Sequence, residues 1–228
     1  MCYVARKMRS FRSLLWIGLA AALPASAQFY VISSPTAQYT GNTTPLPIAA
    51  ANFSTVSSLT AGAQTVTFTP SLTAASIGAG WNFWGAPPNT ESSTPRLLET
   101  DPGVTTLTLT LSTPATTFGF ELEPANVAGS PFSMSATFLN GASTVGTVTR
   151  TIAYNGALVM AGSSATPITS IVVTAPGAGG FAIAQLRFGS VLLSPATSTV
   201  PTLGTAGLGT LGLTLAAAGV LLARRRNA

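Results

Sequence analysis

From about residue 64 onward, side-chain polarity alternates with a period of two, and no stretch between residues 28 and 199 carries a convincing helical repeat. Apolar residues that recur at every second position reach one common face only in extended chain, so this segment must bury them by building sheets. Gln64-Thr65-Val66-Thr67-Phe68-Thr69 alternates in this way, and Leu107, Leu109 and Leu111 alternate with threonines. Phe118, Phe120 and Leu122 alternate with Gly119, Glu121 and Glu123, and Phe132, Met134, Ala136 and Phe138 repeat the theme. Val148, Ile152 and Tyr154 share a face with Arg150, and Ser170 to Thr174 forms a short buried run. In Phe181-Ala182-Ile183-Ala184-Gln185-Leu186-Arg187-Phe188 the apolar phase flips near Gln185, which predicts a β-bulge. Asp101-Pro102-Gly103, Asn140-Gly141, Asn155-Gly156 and the Gly-rich Pro176 to Gly180, read as a hairpin turn, punctuate the runs. The expected fold is all-β, a single antiparallel β-sandwich of jelly-roll type.

Charge divides the 228 residues into a neutral middle and two basic ends. Arg6, Lys7, Arg9 and Arg12 lie at one end and Arg224, Arg225 and Arg226 at the other. Between them stand Arg96, Arg150 and Arg187 against Glu91, Glu99, Asp101, Glu121 and Glu123, a net of −2. No basic patch exists there for nucleic acid, whose phosphates require clustered Lys and Arg.

The N-terminal basic stretch leads into an apolar run from Leu14 to Leu23, then Pro24 and the small residues Ala25-Ser26-Ala27. That order is a secretory signal peptide over residues 1–27, with Ala25 and Ala27 framing the cleavage site and Met8 an alternative start. The apolar run is shorter than the roughly 20 residues of a membrane span. The single cysteine, Cys2, precedes that run and is not placed for lipidation or for a disulfide framework. At the other end, residues 203–223 carry no charge, and 21 residues at about 1.5 Å each match a bilayer core. Arg224 to Arg226 follow, which orients the domain outward by the positive-inside rule.

Val200-Pro201-Thr202-Leu203, an apolar Gly/Leu/Ala helix and a terminal Arg224-Arg225-Arg226 resemble the IPTL-type C-terminal sorting signal, a relative of the PEP-CTERM signals read by exosortases. Val200 stands where that family usually has Ile, and Gly204-Thr205-Ala206 where members often have an aromatic or acidic residue. Residues Thr105 to Gly189 also resemble the outer domains of PEP-CTERM-type proteins, in the strand Thr117 to Leu122 and the closing phrases Pro167 to Val173 and Phe181 to Gly189. That family often has Asp-Asn where this chain has Ala184-Gln185. The resemblance implies a protein of the bacterial cell envelope or surface, held in a membrane at least transiently. Its implied partners are the export machinery and signal peptidase, an exosortase-like processing enzyme, the membrane through residues 203–223, and extracellular polysaccharide. Nucleic acid is not among them.

Beyond the N-terminal segment the chain has no His, Cys or Lys, which removes Ser-His-Asp, Cys-His and Ser-Lys nucleophile systems, Schiff-base lysines and Cys/His zinc sites. Carboxylates remain. Glu121 and Glu123, two apart on one strand, share a face at about 6.5–7 Å, a spacing at which a carboxylate pair can hydrolyse glycosides. The competing and preferred expectation places both on the solvent face opposite Phe118, Phe120 and Leu122. Glu99 and Asp101 offer calcium two oxygen ligands in a loop; otherwise neither cofactor nor metal is expected. Trp81 and Trp84, in Gly80 to Gly85, are the candidate carbohydrate contacts, against a plainer reading in which Trp81 and Phe83 fill the core and Trp84 covers a rim. The expected organisation is signal peptide 1–27, a Ser/Thr/Pro-rich segment with the first strand over 28–63, and a β-sandwich over 64–189. A linker over 190–199 and the sorting signal 200–228 follow. The expected role is a non-enzymatic surface or matrix protein, with a carbohydrate-binding module and a Glu121/Glu123 glycosidase as alternatives.

Overall fold

The structure, a computed structural model, describes residues 28–125 and 128–194. The signal segment, the sorting tail with its span 203–223, and the second half of the linker lie outside the described residues. The described residues are mostly β-strand, with one short helix. The first elements are β1 (Phe29–Ile32), a five-residue helix α1 (Ala37–Gly41), β2 (Thr44–Pro45), β3 (Thr55–Ala61) and β4 (Gln64–Ile77). Then come β5 (Gly80–Trp81), β6 (Arg96–Glu99), β7 (Thr106–Pro124), β8 (Phe132–Asn140), β9 (Ser143–Ile152), β10 (Leu158–Thr174) and β11 (Phe181–Gly189). All pairings are antiparallel except that of β4 with β5. Among the described residues no helix is long and apolar enough to cross a membrane.

Three long strands change neighbours along their length. In the first half of β7, Leu109 lies between Phe68 of β4 and Ile171 of β10. In its second half, Leu122 lies between Leu158 of β10 and Ile183 of β11. The later half of β10 pairs with β8 and its earlier half with β1. The earlier residues of β4 pair with β7, and Thr73 to Ala75 pair with β6. A proline stands at each changeover: Pro70 in β4, Pro114 in β7 and Pro167 in β10. Proline has no N–H to give a ladder, so it is tolerated where one set of partners ends and the next begins. Two ribbons result, β3-β4-β7-β10-β8-β9 and β1-β10-β7-β11-β6-β4, which share their long strands.

One core serves both ribbons. Leu107, Leu109 and Leu111 from the first half of β7 cluster with Phe118, Phe120 and Leu122 from its second half, and with Met134, Phe138, Ile171, Ile183 and Leu186. The half-buried Phe29 of β1 reaches this core, its ring 5.3 Å from that of Phe138. Glycines make room for it: a Cβ at Gly146 of β9 or at Gly162 of β10 would fall 2.2 Å from the Phe29 ring.

Several local expectations change. Pro176 to Gly180 is no hairpin turn, since it joins β10 to β11, which pair with opposite edges of β7 and not with each other. The Ser/Thr/Pro-rich segment holds a second short strand, β2, besides its first, and α1 is a helix that no helical repeat in the sequence announces. Its start is capped by the Thr36 side chain, which accepts from the Tyr39 N–H at 3.3 Å. Gly162→Ala is expected to destabilise the protein by about 1–3 kcal/mol in urea unfolding, because the new methyl meets the Phe29 ring. Combined with Phe29→Ala, the glycine substitution should cost far less than it does alone; full additivity would disprove the contact.

Candidate functional site

The face of the second ribbon turned away from the core is floored by small residues. Directly paired residues project from one face. One row across it reads Thr73, Glu99, Ala182, Glu123; the next reads Ala75, Leu97, Ala184, Glu121, Val159. A third reads Arg187, Gly119, Ala161, Ile32. Three aromatic side chains fill the height these small residues leave free. Trp81 and Trp84 pack with Ala75, Leu97, Ala157, Ala182 and Ala184, and Tyr39 packs with Val159, Ala161 and Leu193. A Cβ at Gly119 would fall 2.2 Å from Ala161 Cβ and 2.5 Å from the Tyr39 hydroxyl, so glycine is required beneath that ring.

Glu121 and Glu123 therefore do not face solvent; they are 1% and 0% exposed. The alternation with Phe118, Phe120 and Leu122 assigns them to the correct face, but that face is covered by a second layer. Glu121 Oε2 accepts from the Trp84 indole N–H at 2.8 Å and Oε1 from the Glu91 backbone N–H at 2.5 Å. Glu123 Oε1 accepts from the Asn155 backbone N–H at 3.0 Å, while its buried Oε2 has no well-formed hydrogen bond among the described residues. Burial pushes the Glu121 carboxyl up to about 7, against the smaller opposing pull of the Trp84 and Glu91 hydrogen bonds. Burial likewise raises Glu123 to about 7, and the Asn155 N–H and the neighbouring Trp81 side chain pull it back only in part.

Trp81 is buried, as the plainer expectation has it, and Trp84, expected at a rim, is buried beside it. Trp81 and Trp84 are 8% and 6% exposed, so neither offers a flat face for sugar stacking. Phe83, expected in the core, is 50% exposed and meets Tyr154 edge-on at 6.1 Å. The strand there is only Gly80–Trp81, and past its end the chain no longer alternates between faces.

The bulge expected at Gln185 is present: the β11–β7 register slips between Ala184 and Arg187, and Gln185 has φ of +50°. The inserted residue sends Leu186 into the core and turns Arg187 onto the covered face. There Arg187 holds Glu91 through two bonds, Nε to Oε1 at 2.7 Å and Nη2 to Oε2 at 2.8 Å. Its Nη1 donates to the Thr40 and Thr43 carbonyls at 3.2 Å each. The Glu91 hydrogen bond raises the guanidinium above its ordinary value. Arg187 thus ties the loop carrying Trp84 and Glu91 to the segment around α1.

Glu99 is part-exposed at the open end of the first row, and its carboxyl is raised by burial and then by Asp101. The two acids line one recess with Trp81, but among the described residues no group of three or more His, Cys, Asp or Glu converges on a metal position.

No family model matches the sequence, and no curated protein matches it. Among solved structures, the enzymatically active domain of bacteriophage CBA120 tailspike protein 4 aligns at 18% identity with a TM-score of 0.30. The alignment covers 56% of this chain and 19% of that chain, so the chain spans about a fifth of that protein's length. A likeness at that level carries no argument about fold or function.

The two raised carboxyls give stability a definite pH dependence. Between about 4.5, the ordinary glutamate value, and about 7, the folded protein holds protons that the unfolded chain has released. Stability is therefore fullest below that window, falls as pH rises through it, and levels off above about 7. The loss is on the order of 3 kcal/mol at most for each group. Urea midpoints between pH 4.5 and 8 should show the decline, and Glu123→Gln, which loses no bonded acceptor, should remove about half of it. Midpoints that rise with pH over this range would refute the assignment.

Proposed function

We propose that this is an exported, non-enzymatic protein of a bacterial cell surface or extracellular matrix, sorted through an exosortase-type C-terminal signal. The observation that carries the reading is the three-part order at the end of the sequence: Val200-Pro201-Thr202-Leu203, an uncharged span over 203–223, then Arg224 to Arg226. The leader ending in Ala25-Ser26-Ala27 supports export. We read the two ribbons as the two layers of a sandwich, a reading supported by the single core to which both halves of β7 contribute.

The non-enzymatic part of the proposal is supported by what surrounds the best carboxylate pair. Glu121 is spent on two internal hydrogen bonds, and neither Glu121 nor Glu123 lines the recesses that open on that face. A glycosidase needs its two carboxyl groups on either side of a bound glycosidic bond, with access for water.

Deleting residues 200–228 should move the protein from the cell-envelope fraction to the medium, as read by immunoblot of fractionated cells. Replacing Arg224 to Arg226 with neutral residues should also disturb retention. Retention unchanged by the deletion would remove the sorting role of the tail.

A further inference from the structure

We propose that the open end of the covered face, around Glu99, binds the neutral sugar units of a glycan chain. Two adjoining recesses of about 210 and 150 Å³ share Trp81, Glu99 and Ala125 as walls. Asp101 and Thr100 line the first, Asn82 and Tyr154 the second. Carboxylate and amide oxygens arranged in this way accept hydrogen bonds from sugar hydroxyls.

Two exposed aromatic rings supply the apolar part. Phe53 is 67% exposed and Phe83 50%, the only phenylalanines in the exposed class among the described residues. Both belong to this end of the molecule. The position of a Cβ at Gly80 lies 3.3 Å from Phe53 Cε1 and 3.6 Å from Glu99 Oε1, so ring and carboxylate flank the same glycine. Phe83 packs on Tyr154, a wall of the second recess. Flat rings beside hydroxyl acceptors match a pyranose, which has an apolar C–H face and a polar edge.

Phe53 is also held out at a cost. Its φ is +66°, a left-handed conformation unfavourable for a bulky residue, yet its ring gains little burial in return. The loop that carries it is firmly tied. Arg96 donates to Asn52 Oδ1 and to the Ala50 carbonyl, Asn52 donates to Ser76 Oγ at 3.0 Å, and the Phe53 N–H donates to the Ala74 carbonyl at 2.7 Å. A ring carried on a backbone held in place beforehand leaves less of the loop to be ordered when it meets a ligand.

Charge decides between ligand classes. Glu99 and Asp101 repel phosphate, nucleic acid and uronic acids, and no arginine lines either recess to offset them. Neutral hexose or N-acetylhexosamine polymers fit.

The inference rests on the surface reading only for where the glycan is met. The test uses the purified full chain in mild detergent and is independent of sorting. It is offered laminarin, xylan, cellohexaose, chitohexaose and polygalacturonate in affinity electrophoresis and titration calorimetry. Binding to at least one of the neutral probes, with polygalacturonate bound at least tenfold more weakly, is expected. Phe53→Ala and Phe83→Ala should each weaken that binding at least fivefold, as should Glu99→Gln, while Val31→Ala on β1 leaves it unchanged. Both phenylalanine variants change exposed side chains, and an unaltered thermal transition shows that the fold persists. Failure to bind any neutral probe, preference for polygalacturonate, calcium binding alone, or affinity indifferent to Phe53→Ala and Phe83→Ala would each overturn the proposal. Loss of the tail's sorting role with glycan binding intact would overturn only the surface reading.

Discussion

The buried carboxylate of Glu121 fixes the outer layer of this protein. A carboxylate removed from water must be given donors, or its charge becomes too costly to keep. The sheet cannot supply them, because its N–H groups are spent on neighbouring strands. The donors come instead from the loop after β5: the indole of Trp84 and the backbone of Glu91. That requirement brings the loop down over β7 and β11, buries Trp84 against alanines, and places the Glu91 side chain where Arg187 can take it. Removing either donor would leave a buried acceptor short, a loss of about 1–3 kcal/mol.

The second fixed point depends on the bulge at Gln185. Without the inserted residue, Arg187 would point into an apolar core and Leu186 onto the outer layer. With it, the arginine gathers Glu91 and the carbonyls of Thr40 and Thr43, joining the loop after β5 to the segment around α1. Arg187 and Glu91 are each 14% exposed, so their attraction is partly offset by lost hydration. The geometry contributes definition as much as energy: a two-pronged guanidinium contact accepts one placement of the loop, where a hydrophobic contact would accept several.

The strands were largely legible in the sequence because alternation is a local property. Phe118, Phe120 and Leu122 turn inward as their spacing requires, and the phase flip at Gln185 marks a real bulge. Three features were not legible as read. The runs around Leu109 and Phe120 are one strand, because Pro114 between them marks a change of partners where a proline ordinarily marks an end. The burial of Glu121 and Glu123 depends on residues some thirty positions away in each direction, and no local pattern encodes a covering loop. Phe83 and Trp84 depart from the alternating pattern for the same reason, since strand periodicity stops after Trp81. A usable signal did exist. Ala75, Ala182, Ala184, Ala161 and Gly119 hold the phase opposite to the large core residues, where a solvent-facing strand would carry threonine and charge. Small side chains in the outward phase, with tryptophans nearby in sequence, indicate a face with something packed on it.

Four of the five carboxylates of the chain lie on or over this one face, and their environments divide the work among them. Glu121 and Glu123 are sealed beneath tryptophans, and Glu91 is held by Arg187. Each is therefore committed to holding the layer together. Glu99 stands in the same row as Glu123, with only Ala182 between them, but the covering layer ends before it is enclosed. The same alternation and the same floor thus produce a structural carboxylate where the indoles reach and an accessible one where they stop. The margin of the covering layer, where acid, amide and exposed phenyl rings meet solvent together, is therefore chemically distinct from the sealed pair of glutamates that spacing alone would single out.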